Sequence, residues 1–278
     1  AIAGVGPAAV EALHGEWLDC AAERERAARL GFRILTDGEA GWPEALANLW
    51  DPPLALYAEG NALPEQDAVA VIGTRRCTPY GQARAREIAG GLARAGWWVV
   101  SGLAEGIDHA AHEGALTAGG RSAAVLGHGL DLTHPPSARG LRQRLTESGC
   151  VLAEFPLGRA PDRRSFPQRN RLVAALCRAV VVVESDLAGG SQITARFAGE
   201  LGRTVCAVPG RADSPASRGC HALIRDGATL VVSAEQVLEE LGMAPSVDAP
   251  LKAGEAPSLL NYFAGGEAHE ASSLAQAA

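Results

Sequence analysis

The sequence predicts an α/β fold, a doubly wound parallel sheet with helices on both faces. Three observations carry that prediction. From residue 32 onward, apolar strand-like runs alternate with helical stretches, the pattern of a parallel sheet covered on two sides. The runs are unbroken rather than alternating apolar and polar, as strands buried on both faces require. Several of them run through a glycine turn into a helix, as in "AVAVIGTRRCTPYGQARAREIAGGLARAG", residues 68–96.

The elements follow in order. Residues 1–31 read as short helices, a small N-terminal domain of the SAM or helix-hairpin-helix kind. Its Gly4-Val5-Gly6-Pro7 turn has no basic residue nearby, which favours a plain helical turn over a DNA-backbone hairpin. Residues 32–242 form the main domain. Strands are expected near 32–36, 54–58, 68–73, 97–102, 122–127, 150–155, 179–185, 204–210 and 229–233. Helices fill the gaps, for example "QARAREIAGGLARAG" and "ITARFAGELG". Residues 243–256, rich in Pro, Gly and Ala, read as a linker. Residues 257–278 read as the start of a C-terminal helical segment, too short to bury a core alone.

Composition narrows the function classes. With 278 residues, 47% hydrophobic, there is material for one sizeable α/β domain and smaller attachments. No apolar run is long enough to span a bilayer and no signal peptide opens the chain, so no membrane partner is expected. The six cysteines (Cys20, Cys77, Cys150, Cys177, Cys206 and Cys220) form no C-x-x-C pair. They read as reduced, structural thiols of a cytoplasmic protein. A net charge of −7 argues against a nucleic-acid partner, but its distribution softens the point. Lys252 is the only lysine; the rest of the positive charge is arginine, the better fork for phosphate.

In open parallel sheets, ligands sit where loops leave the carboxyl ends of the strands. Here those loops are Gly73-Thr74-Arg75-Arg76, Ser101-Gly102, Gly127-His128-Gly129, Phe155-Pro156, Ser185 to Ser191, and Pro209-Gly210-Arg211. Most combine glycine with a hydroxyl, an arginine or both, the means to hold phosphate oxygens. The densest positive cluster is Arg163, Arg164, Arg169, Arg171 and Arg178, and it follows a strand end. Gly189-Gly190-Ser191, with Thr194 a turn later, forms a second anion nest at a helix start.

A reaction centre is less well supported. Asp108 and His112 share a helix face while His109 points elsewhere, a thin ligand set, so no metal is expected and Asp108 is read as a helix cap. Glu154 and Glu184 both close strands, yet nothing in their spacing brings them together. There is no nucleophile elbow and no Walker lysine. The sequence therefore points to a binding surface with no catalytic residue and no cofactor.

Gly73-Thr74-Arg75-x-x-Thr78-x-Tyr80-Gly81, then "SGLAEGIDHAAHEGAL", "VLGHGLD", "EFP", "FPQRNRLVAAL", "GGSQITARFAGELGR", "AVPG" and "LIRDGATLV", resemble the ordered signature of the DNA-processing protein A family, also called Smf. The resemblance runs from about Phe32 to Leu241. It implies an extended Rossmann-like domain that binds single-stranded DNA, loads RecA onto it in natural transformation and recombination, and forms a homodimer. Members often carry an N-terminal helical domain and a C-terminal winged helix, in keeping with the helical start and the short tail. Carried over residue by residue, the nucleic-acid site comprises Gly73, Thr74, Arg75, Arg76, Thr78, Tyr80 and Gly81, then Ser101, Gly102 and Gly127, then Arg169, Asn170 and Arg171, and Gly190, Ser191 and Thr194. Leu223 and Ile224 match a dimer or RecA surface.

Where the family pattern often has Tyr-Pro with a lysine and an asparagine, this chain has His134-Pro135-Pro136-Ser137-Ala138. Arg139, Arg163 and Arg164 are the expected substitutes for that lysine. Tyr80 and Phe166 are the candidates for stacking on a base. Duplex DNA is left open as a further partner. The alternative is a nucleotide phosphoribohydrolase of the lysine-decarboxylase-like Rossmann group, echoed by the glycines of "AGGSQITARFAGE". That group's catalytic glutamate has no match, since Ala195-Arg196-Phe197 stands in its place.

Overall fold

The computed structural model describes residues 20–61, 63–64 and 67–243. The predicted linker and C-terminal segment, and residues 1–19 with their Gly4–Pro7 turn, lie outside the described residues. Helix α1 (Cys20–Arg29) leads into β1 (Arg33–Leu35), a one-turn 3-10 helix (Glu44–Asn48) and β2 (Leu56–Gly60). The doubly wound part then runs β3 (Ala68–Ile72), α2 (Pro79–Arg94), β4 (Trp98–Ser101), α3 (Ile107–Thr117), β5 (Ser122–Leu126), α4 (Arg139–Ser148) and β6 (Cys150–Ala153). Its second half is α5 (Ser165–Ala175), β7 (Ala179–Val182), α6 (Gly190–Glu200), β8 (Thr204–Ala207), α7 (Arg218–Arg225), β9 (Thr229–Leu230) and α8 (Ala234–Glu240).

All nine expected strands join one sheet in the order β1-β2-β6-β5-β4-β3-β7-β8-β9. From β6 to β9 the pairing is parallel, while β1 and β2 are antiparallel additions to one edge. The sequence led to a parallel sheet throughout. The difference arises because the link between β1 and β2 carries only the 3-10 helix, not the covering helix of a parallel crossover. Every strand but β2 is one to three residues shorter than expected, and β2 is shifted by two, because the strand ends give way to loops. The strand β2 begins at Leu56 because Leu54, after Pro52-Pro53, stands 92% exposed outside the sheet. The strand β9 stops at Leu230, since the chain turns into Ser233, whose hydroxyl accepts Gln236 N–H and starts α8.

Alternation along each strand divides the core. Val69 and Val71 of β3 pack with Ile88 and Leu92 of α2 and with Ile107 and Ala111 of α3. Ala68, Ala70 and Ile72 face the other way, onto Leu172 and Val173 of α5 and Ala195 and Ala198 of α6. A further cluster packs Ala27 of α1 and Leu141 and Leu145 of α4 on β5 and β6. Every residue of β3 is buried, and each such Val or Ile contributes roughly 1.5–3 kcal/mol.

This winding sets the site. Strand β3 pairs with β4 on one side and β7 on the other, although β4, β5 and β6 lie between them in the chain. The order reverses there, so the loops after β3 and β7 splay apart and leave a crevice at their carboxyl ends.

A candidate nucleic-acid interface at the strand-order switch

A cavity of about 450 Å³ opens in that crevice. Its walls are the loop after β3 (Gly73, Thr74, Arg75), the loop after β4 (Gly102, Ala104, Asp108), α5 (Phe166, Arg169, Asn170) and the start of α6 (Gly189, Gly190, Ser191, Thr194). Of the predicted residues, Gly73, Thr74, Arg75, Gly102, Arg169, Asn170, Gly190, Ser191 and Thr194 are brought together here. Arg163, expected as a substitute for the missing lysine, lines the same cavity.

Each wall has a local cause. Helix α6 starts at Gly189 with no side chain capping it, so its first N–H groups face the cavity with the positive end of the helix dipole. A side chain at Gly190 would meet nothing within 4 Å among the described residues, which leaves that approach open. Ser191 hydrogen-bonds Ser185 through its hydroxyl at 2.7 Å, and Asn170 Nδ2 donates to Gly190 O at 3.2 Å, tying α5 to α6. Gly102 is required because any Cβ there would lie 2.5 Å from the Arg169 guanidinium.

The arginines divide by role. Arg75 is exposed, and its guanidinium lies 4.8 Å from the centre of the Phe166 ring, a cation–π contact at the mouth. Arg169 is 5% exposed and donates to Gly102 O at 2.9 Å and to Val125 O, bracing the ends of β4 and β5. Burial lowers its pKa to about 10, which leaves it cationic at neutral pH. Arg171 faces the other side of α5, where it pairs with Glu154 at 2.6 Å, and it is absent from the cavity wall. Arg76 is exposed and also outside that wall, its backbone N–H donating to Thr74 Oγ1 at 3.3 Å.

The remaining predicted residues take other places. Ser101 is buried and its hydroxyl donates to Val71 O at 2.8 Å. Gly127 backs Phe166, whose ring leaves no room for a Cβ. It lines an adjoining hollow with Arg75, His128 and His134. Thr78 and Tyr80 line a separate cavity of about 660 Å³ beside Pro209 and Arg211, with Tyr80 Oη donating to Pro209 O at 3.0 Å. Gly81 abuts Glu184, which closes that cavity's floor. Leu223 and Ile224 are partly buried on α7 against the core.

Asp108 corrects one expectation. The N-cap of α3 is Gly106, and the Asp108 carboxylate turns back to accept Gly102 N–H at 3.1 Å and Ala104 N–H at 3.4 Å. It therefore shapes the preceding loop rather than capping the helix. Burial pushes its pKa up, with Arg169 opposing. His112 instead pairs with Ser122 through Nδ1 at 2.7 Å, and burial pushes its pKa down to about 3. No group of three metal-ligating side chains occurs among the described residues. Where a phosphoribohydrolase would hold its glutamate, Ala195 is buried and Arg196 turns outward toward Glu200 at 3.6 Å. Glu154 and Glu184 are committed separately, to Arg171 and Thr78. All six cysteines are free thiols, four of them buried. Among the described residues, no helix is long and apolar enough to cross a membrane.

Comparison with known proteins places this arrangement. The family model described as DNA recombination-mediator protein A matches residues 33–242. Protein Smf of Synechocystis is 39% identical over 78% of this chain and 56% of its own length. DNA processing protein DprA of Streptococcus pneumoniae is 41% identical over 75% of this chain and 73% of its own length. This chain thus spans little more than half of the Synechocystis relative. The X-ray structure of the pneumococcal protein superposes with a TM-score of 0.74 at 38% identity, covering 79% of this chain and 76% of that one. DNA processing protein A of Helicobacter pylori, whose structure describes a single-stranded DNA binding mode, gives 0.68 at 32% identity over 76% of this chain and 95% of its own. On motif order, sheet winding and similarity over three quarters of its length, this chain belongs to the DNA recombination-mediator protein A family.

Proposed function

We propose that this chain binds single-stranded DNA across the cavity at the strand-order switch. It then loads a RecA recombinase onto that strand, as a cytoplasmic homodimer acting in transformation and recombination. The observation that carries the reading is the uncapped start of α6 facing Arg75 and Arg163 across one cavity. Phosphate meets the N–H groups of Gly190 and Ser191, while Arg75 and Arg163 neutralise charge from the exposed side. Arg169 adds positive potential from beneath but keeps its donors on the carbonyls. Phosphate contacts position a strand without reading bases, so sequence preference is slight. The binding mode described for the Helicobacter relative supports the same ligand.

A fluorescent oligo-dT titrated across a salt series tests it, with wild type and Arg75→Ala. Removing one phosphate contact lowers the salt slope by about one and weakens binding. Affinity and slope untouched by Arg75→Ala would reject the cavity as the DNA site.

A further inference from the structure

In a doubly wound sheet, the helix after the first central strand is where phosphate usually sits. That position is already filled here. Glu184, just after β7 and only 3% exposed, places its carboxylate at the start of α2. Oε2 accepts Thr78 N–H at 2.8 Å and Oε1 accepts the Thr78 hydroxyl at 2.6 Å. Thr78 is the N-cap of α2 and its Oγ1 accepts Gly81 N–H at 3.2 Å. A Cβ on Gly81 would overlap the carboxylate, so glycine there makes room for it.

The same residue holds the other end of the loop. Glu184 O accepts Thr74 N–H at 2.7 Å, and a Cβ on Gly73 would lie 2.6 Å from that oxygen. On the far side, Thr74 O accepts Ile107 N–H at 3.2 Å, against the start of α3. Residues 74–78, which include Arg75, are thus fastened at both ends to one glutamate in the loop after β7.

We infer that Glu184 is a positioning residue: an internal anion that occupies the N-terminus of α2 and fixes the loop that aims Arg75 at the cavity. External phosphate is left with α6, which no side chain caps. The DNA part of the test rests on the proposed single-strand reading; the loop part does not.

The loop carries a trypsin site at Arg75-Arg76, both exposed. In full-length Glu184→Ala, limited trypsin digestion is expected to cut there at least about tenfold faster than in wild type, with other arginines cut at the wild-type rate. Thr78→Val removes only the hydroxyl half of the clasp and gives a smaller increase, about threefold. It stands in if Glu184→Ala is cut throughout and has failed to fold. Unchanged cleavage at Arg75-Arg76 in both variants overturns the inference.

Oligo-dT binding supplies the second readout, as a double-mutant cycle. Glu184→Ala loses affinity by about tenfold, and the loss vanishes in the Arg75→Ala background. Additive losses would show that Glu184 does not act through Arg75. Arg75→Ala without effect would sink the DNA reading of the cavity, and the digestion result would still decide the clasp.

Discussion

Two helices begin at the carboxyl ends of neighbouring strands, on opposite faces of the sheet, and they begin differently. Helix α2 starts on Thr78, whose hydroxyl caps Gly81 N–H and whose own N–H meets the buried carboxylate of Glu184. Helix α6 starts on Gly189, which offers no side chain. Both carry a helix dipole and spare N–H donors, one fewer in α2 because it begins on Pro79, yet one is filled from inside the chain and the other faces a cavity. The lesson is that a glycine turn before a helix is not in itself a phosphate site. What matters is whether the chain supplies its own anion.

The filled start of α2 is most vulnerable at Gly81. Replacing it with valine drives two methyl groups into the Glu184 carboxylate. The expected loss is about 3 kcal/mol, at the upper end for overpacking, read by urea denaturation. A carboxylate added to the other helix tests the converse. Gly190→Glu gives α6 the anion that α2 already has, and oligo-dT affinity should fall at least about tenfold, about 1.4 kcal/mol, with stability little changed. An unaltered affinity would mean that the start of α6 is not where phosphate lies.

Unlike Glu184, Asp108 is a carboxylate in the wall of the open cavity. Burial raises its pKa in the fold, so it takes up a proton at a higher pH than a free aspartate. Its contribution to stability is therefore present below the free aspartate range and lost as pH rises through the folded value. Protonation removes a negative charge from the cavity, so DNA affinity rises as pH falls through that value. Asp108→Asn should flatten the profile and hold affinity about threefold above the wild-type value on the high-pH side, measured by the same titration across pH. The smallest effect belongs to Gly190→Ala. With nothing among the described residues within 4 Å of the added carbon, stability should stay within about 0.5 kcal/mol.

Much of this was legible in the chain itself. Nine apolar runs announced nine strands, since strands buried on both faces cannot hide their composition. Strand direction was less legible, because it depends on what the connection carries. Arg75 stood out as a charge in a glycine turn. Arg169 and Arg171 looked alike in sequence, but residues two apart on a helix point to different faces. Only packing decided that one would brace β4 and β5 while the other paired with Glu154. Glu184 stood out only as a glutamate closing a strand, and nothing tied it to its partner Thr78, 106 residues away. Asp108 did carry a signal, the run Gly102 to Gly106 before it, which marks a loop in need of an acceptor rather than a helix in need of a cap.

The outermost strands have a consequence of another kind. Among the described residues, three residues of β1 and two of β9 bound a nine-stranded sheet. An exposed sheet edge is a template for runaway self-association, and short margins are one way natural proteins blunt it. Here a stray strand could form only a few ladder hydrogen bonds at either margin. Such a sheet resists growing sideways into aggregates even when much of the chain is apolar.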